Sequence, residues 1–128
     1  MAERVIRVVA ALITDREGRQ LLVRKRGTRR FMQAGGKPEA GESPREALVR
    51  ELHEEIGLRV EADALEPVGA FVTAAANEPD HRLEADVFRL RVDVPVTPLA
   101  EIEELVWLLP EEARALGEDL APLAHLLL

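Results

Sequence analysis

The stretch from Ser43 to Gly57 constrains this chain more than any other part of it. Ser43 offers an N-cap hydroxyl, and Pro44 suits the first helical position, where its missing N–H has no partner to lose. Glu46 stands where its carboxylate reaches back to complete a capping box, and Gly57 suits the left-handed residue that ends a helix. The punctuation predicts a helix from Ser43 to Ile56. At about 100° per residue, with Glu51 at the origin, Glu54 falls at about −60° and Glu55 at about +40°. Leu48, Leu52, Ile56 and Val49 follow at about 60°, 100°, 140° and 160°. One side of the helix faces a core, and the side next to it carries three carboxylates. In water such like charges repel by a few tenths of a kcal/mol per pair, and by more as they leave it. An ordinary solvated glutamate face is the plain reading. The chemical one is a divalent cation that supplies the missing positive charge. No histidine or cysteine stands at ligand spacing, so the ion would be hard: Mg²⁺, or Mn²⁺ as substitute.

The rest of the chain bounds the answer. At 128 residues it is expected to form one domain, 1–128, with no linker or internal repeat. A net charge of −7 argues against nonspecific binding to duplex nucleic acid. Its sparse aromatics (Phe31, Phe71, Phe88 and Trp107) argue against extensive base stacking along single strands. The absence of cysteine excludes disulfides, cysteine–zinc sites and cysteine nucleophiles, and agrees with an expected cytoplasmic location. No apolar run approaches the roughly 18 residues of a membrane span. The start, Met1-Ala2-Glu3-Arg4, has no signal-peptide pattern.

Val5–Ile13 reads as a core strand, Asp15–Gly18 as a turn, and Gln20–Arg26 as the strand that completes a hairpin. Gly27–Gly36 reads as a loop. Leu65–Thr73 and Leu83–Val92 read as strands around the loop Ala74–Arg82, and Ile102–Leu109 as a last strand. Helix is expected from Pro110 and again from Asp119 to the end. This order suggests an α/β or α+β sandwich with a mixed sheet. Phe71, Phe88 and Trp107 sit in strand patterns as core residues, whereas Phe31, in the loop, is a candidate for stacking on a base. His53 falls away from both acids and core and is expected in solvent.

Arg24, Lys25, Arg26, Arg29 and Arg30 crowd together just upstream of the helix. A solvated strand end and loop would explain them, and so would an anion clamp beside the acids. Strand alternation puts Arg24 and Arg26 on one face and Lys25 on the other, so they cannot all reach one site.

Gly36-Lys37-Pro38-Glu39-Ala40-Gly41-Glu42 is followed, after seven residues, by Arg50-Glu51-Leu52-His53-Glu54-Glu55-Ile56-Gly57-Leu58. At every defining position this resembles the Nudix box: glycine, five residues, glutamate, seven residues, then Arg-Glu-apolar-x-Glu-Glu-x-Gly-apolar. The resemblance implies a Nudix-type α/β/α sandwich that hydrolyses a nucleoside diphosphate linked to another moiety, with a small nucleotide as partner and a homodimer as a frequent assembly. It makes Glu51 and Glu55 metal ligands, Glu54 a third ligand or the water-orienting base, and the Gly36 carbonyl a completing ligand. Arg50 would orient a box glutamate, and Glu42 would support the loop. Arg24 or Arg26 from the strand, Arg29 or Arg30 from the loop, and Lys37 would hold phosphate oxygens, and Glu101 or Glu103, ahead of the last strand, are second-tier acids. The proline that often precedes the paired glycines is Ala34 here. The compact length favours (deoxy)nucleoside triphosphates, oxidised ones included; ADP-ribose, dinucleoside polyphosphates and a non-catalytic nucleotide sensor remain as alternatives. A diphosphate isomerase on this fold needs a cysteine that the chain lacks.

Overall fold

A computed structural model describes residues 4–128, so the reading of the first three residues lies outside it. The strands are β1 (Arg4–Thr14), β2 (Gln20–Lys25), β3 (Ala34–Gly36), β4 (Glu66–Ala74), β5 (His81–Arg91) and β6 (Ile102–Leu108). The helices are α1 (Pro44–Ile56), α2 (Pro110–Arg114) and α3 (Pro122–Leu126). The strands form one mixed sheet in the order β4-β5-β1-β2-β6, with β3 paired to β1.

β1 is the centre of this sheet because it is apolar on both faces. Val9, Ala11 and Ile13 pack with Leu48, Leu52 and Ile56 of α1, while Ala10 packs on the other face with Ala85, Val87 and Leu123 of α3. A strand buried on both sides reads as a continuous apolar run, which is how Val8–Ile13 reads. α2 joins the second face through Ala113 against Leu22 and Leu120. Helices therefore cover both faces of a mixed sheet, as the α/β/α reading expects.

α1 carries its expected caps. The Glu46 N–H donates to Ser43 Oγ at 3.1 Å, the Ser43 N–H donates to Glu46 Oε1 at 2.9 Å, and Gly57 takes φ 67°. No helix among the described residues is long and apolar enough to cross a membrane.

Three local expectations are corrected. β1 and β2 are antiparallel but share only the pair Thr14↔Gln20; the long partner of β1 is β5, parallel from Arg4↔His81 to Thr14↔Arg91, and that of β2 is β6. The two strands diverge beyond their turn, and residues 31–36 fill the fork. Met32 bridges Val23, Ala34–Gly36 pair with Val9–Ala11, and Phe31 bridges Leu120, so this segment is not a free loop. Near the C-terminus a 3₁₀ turn at Gly117–Asp119 precedes α3, which begins only at Pro122, because proline disfavours helix in the residue before it.

Candidate active site

β3 brings the Gly35-Gly36 pair against α1. At Gly35, with φ 154°, an added Cβ would stand 2.0 Å from the Val9 carbonyl oxygen, so only glycine fits. At Gly36 it would stand 2.5 Å from the Glu51 carboxyl carbon. The missing side chain is what lets Glu51 lie against the β3 backbone.

Glu55 sits next to the apolar stripe of α1 and is drawn into the core, only 4% exposed. Its Oε1 accepts the Gly35 N–H at 2.9 Å. Burial pushes its carboxyl up to about 7, aided by Glu51 and Glu101 and opposed by the Gly35 N–H and Lys25. Burial also raises Glu51, against the pull of Arg50.

Arg50 ties the loop to the helix. Its Nε and Nη2 donate to the two oxygens of Glu42 at 2.8 and 2.9 Å, and Nη2 also reaches the Lys37 carbonyl at 3.1 Å. Its Nη1 donates to Glu51 Oε1 at 2.8 Å and to Glu54 Oε2 at 3.2 Å. The fork holds the Glu42 carboxyl down at about 2.

Of these groups, Gly35, Gly36, Arg50, Glu51 and Glu55 line a cavity of about 550 Å³. Glu51, Glu55, Glu39 and Glu101 face it, with Lys25, Lys37 and Arg50 as cations, while Ile6, Val8, Leu83 and Leu123 form an apolar wall. Lys25 Nζ lies 3.5 Å from Glu101 Oε1. The donor set suits a hard divalent ion: Glu51 and Glu55 bring oxygen donors to one cavity, and burial raises both carboxyls. Among the described residues no three acidic or histidine side chains already converge as a metal cage. Arg50 draws Glu51 and Glu54 to itself, and Gly35 holds Glu55.

Other candidates stand elsewhere. Arg24 pairs with Glu104 and the Thr28 carbonyl, and Arg26 with Glu103, and neither arginine lines the cavity. Phe31 packs beside Leu22 and Leu120. Phe88 is core, with Phe71 and Trp107 packed against core clusters, and His53 is exposed. Glu54 is half exposed on its helix and does not line the cavity. Of the strand cations, Lys25 rather than Arg24 or Arg26 lines the cavity. It has the strand parity of Leu21 and Val23, whose side chains face α1, and that parity was the available signal. Gln33 and the tip Ala74–Glu78 also line the cavity and went unnoticed in the sequence.

Residues 4–127 match the NUDIX domain. The chain is 36% identical to a CTP pyrophosphohydrolase of Escherichia coli strain K12 over 126 residues, covering 93% of this chain and 85% of that protein. It is 40% identical to an 8-oxo-dGTP diphosphatase of Haemophilus influenzae over 62 residues, 45% of this chain and 46% of that one. Among solved structures, the Escherichia coli ORF135 protein superposes with a TM-score of 0.70 at 33% identity, covering 98% and 86% of the two chains. A MutT protein from Methanosarcina mazei Go1 gives 0.77 at 26% identity, covering 98% and 90%.

Proposed function

Since the chain belongs to the NUDIX domain family, we propose that this hydrolase of pyrophosphate bonds acts on (deoxy)nucleoside triphosphates, oxidised ones included. The observation that carries the reading is that the Glu51 and Glu55 carboxylates, the cations Lys25, Lys37 and Arg50, and an apolar wall meet in one cavity. A triphosphate needs its charge offset at one end and a dry surface for its base at the other. The names of the two relatives, a CTP pyrophosphohydrolase and an 8-oxo-dGTP diphosphatase, support triphosphates over ADP-ribose.

Nudix hydrolases generally use divalent metal ions. Here Glu51, Glu55 and the Gly36 carbonyl would hold such an ion, Mg²⁺ or Mn²⁺, which when bound offsets phosphate charge and acidifies a water. The side chains do the rest. Lys25 and Lys37 bind phosphate oxygens, and Arg50 fixes Glu51 on one side and the Glu42 loop on the other. Glu54, which Arg50 holds beside Glu51 but outside the cavity lining, is the proposed acceptor of the attacking water's proton, a role for which it must leave Arg50 and turn towards Glu51 and Glu55. The water oxygen forms a new bond to phosphorus, the bridging P–O bond breaks, and the leaving pyrophosphate departs with the electron pair.

The test is product analysis by mass spectrometry with Mg²⁺ and a mixed panel of nucleoside triphosphates, 8-oxo-dGTP, ADP-ribose, nucleotide sugars and dinucleoside polyphosphates. The reading expects triphosphates to yield monophosphate and pyrophosphate fastest. Preferential loss of ADP-ribose or a dinucleoside polyphosphate overturns the choice of substrate.

A further inference from the structure

Arg30 does not line the cavity, yet it ties together two segments that lead into its wall. Its neighbours Arg24, Arg26 and Arg29 each pair with a carboxylate, and among the described residues Arg30 pairs with none. Its donors go to backbone carbonyls instead. Nη1 donates to the Ala76 carbonyl, in the tip between β4 and β5. Nε donates to the Glu118 carbonyl at 2.9 Å, in the 3₁₀ turn that precedes α3.

Both ends of this strap bear on the cavity. The ladder between β4 and β5 ends at Ala74↔Arg82, and the Ala75 N–H closes it on the His81 carbonyl at 3.1 Å. Beyond that point Ala76, Asn77 and Glu78 have no strand partner, and all three line the cavity. Ala121, Pro122 and Leu123 line it too, just after the Glu118 turn. The Arg30 backbone is itself anchored to that turn. The Phe31 N–H donates to the Asp119 carbonyl at 2.7 Å, and the Ala121 N–H to the Phe31 carbonyl at 2.9 Å. The base of the strap is therefore fixed, and the tip is the part it restrains. An untied loop tip opens at little cost, whereas a hydrogen bond from a charged donor is of the stronger kind.

We propose that Arg30 is a positioning residue for substrate binding: it straps the β4–β5 tip to the turn before α3 and so sets that part of the cavity wall before a nucleotide enters. A wall ordered in advance has less conformational freedom to lose on binding, which shows in affinity rather than in the rate of the chemical step. Arg30 pairs with none of the cavity's acids, so bond breaking proceeds without it. Lysine does not replace it, because an ammonium lacks the planar fork whose Nε and Nη1 reach two carbonyls. The inference rests on the nucleotide reading above, and its first test does not require turnover.

Backbone ¹⁵N relaxation is measured on the free protein for wild type, Arg30→Ala and Arg30→Lys. Order parameters of residues 75–78 are expected to fall below about 0.6 in both variants, while those of α1 stay near the rigid value of about 0.85. In turnover assays both variants should raise KM for the preferred triphosphate at least about fivefold with kcat little changed, as for loss of uniform binding. A tip as rigid in the variants as in wild type overturns the proposal, and so does an unchanged KM. A loss confined to kcat overturns it as well, by placing Arg30 in the chemistry. A Lys variant with wild-type KM would show that charge alone suffices and would remove the two-carbonyl strap. If the wild type cleaves no nucleotide, the functional reading fails, while the mobility of residues 75–78 still decides whether Arg30 holds the tip.

Discussion

Arg50 and Glu42 form a two-pronged pair, Nε to Oε2 at 2.8 Å and Nη2 to Oε1 at 2.9 Å, that clamps the loop after β3 onto α1. Glu42 Oε1 also accepts the Glu39 N–H at 2.7 Å. The loop therefore reaches the helix through one guanidinium, whose remaining N–H bonds go to Glu51, Glu54 and the Lys37 carbonyl. Arg50→Lys keeps the charge and loses the fork. Its kcat is expected to fall at least about tenfold with a lowered Tm, since a lysine cannot hold Glu42 and Glu51 together. A Lys variant with wild-type kcat would remove Arg50 from the positioning role.

The same pair sets an acid limit on stability. The folded Glu42 carboxyl is held at about 2, below its usual 4.5. A depressed acid contributes stability above its unfolded value, and that contribution is lost as pH falls through the folded one. Wild type should therefore exceed Glu42→Gln in Tm above about pH 4.5, and the gap should close towards pH 2. Thermal melts of both proteins across that window check it; a gap independent of pH contradicts it.

The two glycines of β3 should fail differently. Gly35→Ala drives a Cβ to 2.0 Å from the Val9 carbonyl oxygen at φ 154°, a backbone clash expected to cost about 3 kcal/mol or more. Gly36→Ala instead meets the end of the flexible Glu51 side chain at 2.5 Å. That protein should fold with a Tm near wild type, while displacing Glu51 lowers kcat at least about tenfold. Equal losses of Tm in the two variants would refute the distinction.

Glu54→Gln tests the proton acceptor. Its side chain is half exposed and outside the core, so Tm should hold while kcat falls at least about a hundredfold. Unchanged turnover removes Glu54 from the mechanism.

The site's geometry was legible where it is local. Capping, the acid arc and the apolar stripe all lie within one helix, and 3.6-residue periodicity places them without knowing the fold. Glu55 at the edge of the stripe is accordingly the glutamate that burial claims. What the sequence hid is non-local. Nothing in β1 announces that its long partner is the parallel β5, far along the chain, rather than β2 across a short turn. Ala34–Gly36 read as loop because glycines lack strand propensity, yet the fork between β1 and β2 gives them partners. Alternation separated Lys25 from Arg24 and Arg26 but could not say which face carried the cavity. Gln33 resembles any loop glutamine until its burial is known.

The most direct test of the central claim is turnover of a nucleoside triphosphate in H₂¹⁸O with Mg²⁺, comparing wild type with Glu51→Gln and Glu55→Gln. Removing Glu55's buried acid should leave Tm unchanged or raised without metal, so lost activity in that variant cannot be blamed on unfolding. The account predicts that wild type places one ¹⁸O on a phosphate product, that both variants turn over at least about a hundredfold more slowly, and that chelator abolishes wild-type turnover with the fold intact. Full activity in either variant, or in chelator, would contradict it.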